Sequence, residues 1–147
     1  MGKAAFGTAP GDAQIMATLR TETDDNMTLL VKNAIRHVKE STWGNGLCHE
    51  ISWRDEFAAG INHDKAFERV KNAAHAIGMG VVRTKRPFRW SEDFGNFTSQ
   101  FKGAMFGLGA GKDSPQLHNS NYDFPDGLIS TGISVFLQIV DDILKEV

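Results

Sequence analysis

Two stretches of strict alternation bracket one helical stretch, and this pattern limits what the chain can fold into more than any other feature. From Ala13 to Thr21, residues Ile15, Ala17 and Leu19 point one way and Gln14, Met16, Thr18 and Arg20 the other. That is the period-two signature of a half-buried strand. Leu47, His49, Ile51 and Trp53 alternate in the same way with Cys48, Glu50 and Ser52. Between them, Met27, Leu30, Val31, Ala34 and Val38 recur at helical spacing. Thr21 to Asp25 supply N-cap candidates and acidic first-turn residues, and Trp43-Gly44-Asn45-Gly46 stops the helix. The expectation is strand, helix, strand, with a right-handed crossover. Two strands and one helix are too little for a stable unit. A second copy, or strands from elsewhere, must complete the sheet.

A boundary falls at Phe57-Ala58-Ala59-Gly60, giving expected domains 1–57 and 58–147. Asn62 or Asp64 caps the next helix, whose apolar face is Phe67, Val70, Ala74 and Ile77, with Gly78 at the C′ position. Gly80 to Thr84 is a short strand candidate. Ser91 caps a short helix carrying Phe94, Phe97 and Phe101. Ala104 to Gly109 reads as a buried strand, and a polar loop runs from Ala110 to Asp123. Pro125 suits the first position of a last helix, capped by Asp123 or Phe124. Close packing is expected at Gly132, because glycine costs about 1 kcal/mol in a helix interior. Strands alternating with helices make the fold class α/β.

Charge and cysteine content narrow the function classes. The formal net charge is −2, and Arg83, Lys85, Arg86 and Arg89 form a short cluster broken by Pro87. A nucleic-acid binder needs a longer basic stripe. No run approaches 18 apolar residues, so no membrane partner is expected. One cysteine, Cys48, allows no internal disulfide and fits a reducing, cytoplasmic compartment. Its strand position makes a buried structural thiol the expectation.

Few residues are placed for chemistry. The five histidines include no HExxH pair. His37 and His75 fall on polar helix sides, and His49 reads as a packed strand histidine. His118 differs, because it lies in a loop after a glycine-rich segment, amid Asn119, Asn121, Tyr122 and Asp123. Functional residues favour such loops, yet one histidine cannot make a metal site. Ser91-Glu92-Asp93 has two readings. It is a helix cap with first-turn acids, or a pair of carboxylates at a site. Gly107 to Lys112 fails the phosphate-loop pattern, since Asp113 follows Gly111-Lys112 where Ser or Thr is needed.

Three ordered motifs carry a resemblance. Arg89-Trp90-Ser91-Glu92-Asp93-Phe94, then Ala104 to Gly111, then Leu117-His118-Asn119 with Tyr122-Asp123-Phe124, resemble the end of the aminoacylase/carboxypeptidase family of zinc peptidases, in its amidohydrolase branch. Thr18-Leu19-Arg20-Thr21 is similar to part of that family's lid, and Ile61-Asn62-His63-Asp64 to the return into its catalytic domain. The resemblance implies a partial ferredoxin-like lid or dimerisation lobe, followed by the C-terminal segment of a catalytic α/β domain. It implies that His118 is the last ligand of a two-metal site holding zinc or another divalent ion. Ser91, Glu92 and Asp93 would line that site in a positioning role. Arg20 matches a lid arginine. The family's catalytic glutamate and its earlier ligands have no match here, so no catalytic residue is assigned and no substrate-binding residue is named. The family's lid asparagine aligns with Gly7 or Thr8, and Trp90 stands where many members have glycine.

The implied reaction is hydrolysis of amide bonds in N-acyl amino acids or peptides, with this chain inactive alone. The implied partners are a small substrate, and either a homodimer mate or a complementing N-terminal part. A non-catalytic dimerisation or binding module built from the same family is the alternative.

Overall fold

The computed structural model describes residues 6–7, 11–90 and 92–146. Four helices form: α1 (Asp24–Trp43), α2 (Asp64–Ala76), α3 (Phe94–Thr98) and α4 (Gly127–Leu144). No strand occurs among the described residues. This overturns the α/β class, the ferredoxin-like lobe and all four strand expectations. Residues 13–21 and 47–53 carry no regular secondary structure, and Ile15 and Met16, on opposite sides of the alternation, are both exposed. The physical reason is that alternation selects a face but supplies no partner. A strand exists only through ladder bonds to a neighbour, and a helix closes its own.

The chain divides into two compact units, Met1–Arg54 and Asp55–Val147. In the first, α1 starts where the capping residues dictate. The Thr23 side chain accepts the Asn26 N–H at 3.3 Å, and Asp24 and Asp25 sit in the positive first turn. The helix stops at the glycine pair, where Gly46 takes a φ of 63° and the Leu47 N–H returns to the Thr42 carbonyl at 3.1 Å. No residue of α1 is buried. The thiol of Cys48 and the ring of His49 are exposed rather than packed, and Thr42 Oγ1 lies 2.8 Å from His49 Nδ1.

The second unit is organised by α2 against α4. Its buried apolar residues are Ala73, Ala74 and Val135, so two small side chains let the helices approach. Gly78, at φ 76°, ends α2 in a Schellman motif. Its N–H bonds the His75 carbonyl at 3.0 Å, and the Met79 N–H bonds Ala74 at 2.9 Å. The N-cap of α2 is His63, with no side-chain cap bond, so Asn62 is free for another task. An ion pair between Arg69 and Glu146 ties α2 to the residues just past α4. The last helix begins two residues after Pro125, with Asp126 as N-cap. Gly132 packs as expected, since a Cβ there would stand 3.3 Å from Leu108 Cδ1. By length and composition α4 could cross a membrane, although its inner face is taken up by α2.

One contact in this unit tolerates no side chain. A Cβ on Gly95, in α3, would stand 2.0 Å from the Ala58 carbonyl oxygen, which is backbone and cannot rotate away. Gly95→Ala is therefore expected to destabilise the second unit by about 3 kcal/mol, the upper range for overpacking. Urea unfolding followed by tryptophan fluorescence measures this. An unchanged midpoint would show that the contact relaxes freely.

Candidate functional site

The glycine-rich segment before the His118 loop is gripped from two sides. Asn62 donates from Nδ2 to the Met105 carbonyl and accepts the Met105 N–H at Oδ1, both at 2.8 Å and partly buried. The neighbouring His63 N–H bonds the Gly103 carbonyl at 2.9 Å. A single side-chain amide thus satisfies both polar groups of one residue, as a neighbouring strand would. On the other side, Phe106 meets Phe136 of α4 with ring centroids 5.7 Å apart, beside the close approach of Leu108 to Gly132. Sequence reading took Asn62 for a helix cap and missed this role. The signal that could have found it is that Asn62 and Asp64 offer two cap candidates for one helix start.

The loop from 109 to 126 joins that segment to α4, with Leu108 just before it and Leu128 just after it. Between them lies a cavity of about 440 Å³. Leu108, Pro115, Leu117, Tyr122, Phe124 and Leu128 line it, with no charged side chain. Within the loop, the Asn119 N–H bonds the Gln116 carbonyl at 3.1 Å, closing a β-turn. His118 is the third residue of that turn and has a φ of 70°. A positive φ at that position is the type II pattern, where glycine or asparagine is usual. A second turn follows, with Tyr122 N–H bonded to Asn119 at 3.0 Å. His118 therefore occupies a backbone state that glycine would adopt more cheaply. Such outliers cluster at functional positions.

The other expected site residues are less informative. Glu92 and Asp93 are both exposed, and Asp93 is the N-cap of α3 without a side-chain cap bond. Ser91 lies outside the described residues, so its capping role does too. Just before it, Phe88 and Trp90 stack face to face at 4.2 Å. His63 was assigned no role, yet its Nδ1 is buried without a hydrogen-bond partner. No group of three His, Cys, Asp or Glu side chains able to hold a metal occurs among the described residues. His118 alone does not fit a divalent ion, which takes at least three or four ligands.

Comparison with known proteins gives the family. The model of peptidase family M20/M25/M40 matches residues 7–142, so the chain belongs to that family. Its members are generally metal-dependent. Two uncharacterized hydrolases of Staphylococcus epidermidis, from strains RP62A and ATCC 12228, are 27% and 25% identical to it over 104 residues. Those residues are 69% of this chain and 27% of each relative, so the chain matches about a quarter of the length of these curated relatives. No solved structure matches it significantly.

Two substitutions test the geometry. Asn62→Ala leaves both Met105 groups without partners and is expected to cost about 2 kcal/mol, the penalty of unsatisfied partly buried groups. At His118, glycine is expected to be more stable than alanine by about 1 kcal/mol, because alanine keeps the strain of a positive φ and glycine removes it. Equal urea midpoints for the two His118 variants would mean that the turn is not strained.

Proposed function

We propose that this chain is the C-terminal share of a metal-dependent hydrolase that cleaves the amide bond of N-acyl amino acids or peptides. The observation that carries the reading is the positive φ of His118, in a tight turn of a chain of a peptidase family. In this reading His118 offers an imidazole to a divalent ion, zinc being the first candidate. The remaining ligands and the catalytic base come from residues that this chain does not contain. In the same reading Ser91, Glu92 and Asp93 would line the site in a positioning role, as the motif resemblance implies. The partner is a small amide substrate in the cytoplasm, not nucleic acid or membrane. The names of the Staphylococcus epidermidis relatives agree with hydrolysis and go no further.

The chain alone is expected to bind zinc weakly and not to hydrolyse N-acyl amino acids. When the matching 104 residues of the strain RP62A hydrolase are replaced by this chain, metal-dependent hydrolysis is expected. His118→Ala should abolish it, and zinc affinity by calorimetry should fall 10-fold or more. Nanomolar zinc binding by the isolated chain, or turnover indifferent to His118→Ala, would overturn the reading.

A further inference from the structure

No Asp or Glu occurs between Glu68 and Glu92, and Arg83, Lys85, Arg86 and Arg89 fall in the second half of that stretch. None of the four forms an ion pair with a described residue, since the ion pairs of the structure use Arg36, His37, Arg69 and Lys71. In a chain of net charge −2, four unneutralised cations in one short exposed loop are a local excess that attracts anions. Arg83 is engaged in part, because its guanidinium lies over the Phe67 ring of α2, 5.6 Å from the centroid. Arg86 and Arg89 have neither an ion pair nor a ring contact among the described residues.

The same loop carries a flat aromatic surface. Phe88 and Trp90 stack with ring centroids 4.2 Å apart and planes 3° from parallel, whereas the other ring pairs among the described residues are tilted by 30° and 46°. The stack is seated against backbone, since a Cβ on Gly107 would stand 3.8 Å from Phe88 Cζ. Phe88 covers one face of Trp90, yet 47% of Trp90 is exposed, which leaves the other face of the indole to solvent. A flat ring face takes another flat ring. A guanidinium takes a carboxylate through two parallel hydrogen bonds.

Length decides between a small ligand and a polymer. A nucleic-acid strand requires a basic track with successive stacking platforms. Here one platform is followed by exposed Glu92 and Asp93. These acids repel a polyanion that continues past Trp90 and leave room for a single carboxylate.

We propose that the open face of Trp90, together with Arg86 and Arg89, is a binding site for a planar aromatic monocarboxylate. The ring stacks on the indole, and the carboxylate accepts hydrogen bonds from the guanidinium groups. The site is separate from the metal reading of His118 and stands or falls without it. An aromatic stack and an exposed charge pair each change affinity by about 5-fold. Selectivity therefore requires both parts of the ligand.

The test is a titration of the full chain with naphthoate, followed by heteronuclear NMR of the indole N–H groups. Trp43 and Trp53 belong to the other unit and serve as internal controls. Naphthoate is expected to shift the Trp90 signal saturably, with a Kd in the millimolar range or tighter, and to leave the other two in place. Neutral naphthamide and non-planar cyclohexanecarboxylate are each expected to bind about 5-fold more weakly. Arg86→Gln combined with Arg89→Gln should weaken naphthoate binding about 5-fold. Trp90→Ala, followed through the backbone amides of Arg86 and Arg89, should weaken it about 5-fold, and Trp90→Phe should keep most of it. All three positions are exposed, so an unchanged circular dichroism spectrum is expected of each variant. Equal shifts at all three indoles, or an affinity indifferent to the arginine or the tryptophan substitutions, would overturn the proposal. So would displacement of naphthoate by an equal concentration of inorganic phosphate. Tighter binding of oligothymidylate, or of phosphatidylserine vesicles, than of naphthoate would assign the loop to a polyanion and overturn it as well.

Discussion

The grip of Asn62 on Met105 is the interaction on which the second unit's site depends. Backbone groups that leave water must be paired, and the glycine-rich segment has no strand beside it to do so. One carboxamide, carrying a donor and an acceptor two bonds apart, closes both groups of Met105. The His63 N–H then holds Gly103, and the same stretch leads directly into α2. The start of α2 is thereby joined to the segment that feeds the His118 loop. The opposite side of that segment rests on α4 through Phe136 and Gly132. The loop therefore leaves a clamped segment and ends at the start of α4.

Glycine has two different uses in this arrangement. At Gly78 it supplies a left-handed backbone that closes α2. At Gly95 and Gly132 it supplies room, because backbone in one case and Leu108 in the other occupy the place of a side chain. The turn at His118 inverts the first use, since it requires a glycine-like backbone and has an imidazole instead. Folding energy is spent there to carry a side chain.

What the sequence made legible follows from how local each signal is. The cap at Thr23, the stop at Gly44 to Gly46 and the C′ glycine at Gly78 act within one turn of the chain, and all three operate as read. The helix starts near Asp64 and Gly127 were displaced by one or two residues, because several polar residues competed for each cap. Strands were misread because pairing is not local. The alternation at Ile15, Ala17 and Leu19 states which residues would share a face and nothing about a neighbour. Burial was misread for the same reason, since Cys48 and His49 were packed on an assumed sheet. His118 was singled out by its loop context and by the motif resemblance, and the structure adds its positive φ, whereas the Asn62 clamp spans 43 residues and has no sequence period.

The backbone state of His118 has a consequence for how a ligand can be aimed. A metal-binding histidine is ordinarily oriented by a hydrogen bond to its second ring nitrogen. Here the direction of the Cα–Cβ bond is set by the peptide geometry of Leu117 and His118. Turning over the single peptide plane between them would convert the turn to its commoner form and carry the ring elsewhere. If His118 is a ligand, as proposed, its aim would depend on the main-chain conformation of this turn. It can be lost without any change in the residues around the imidazole.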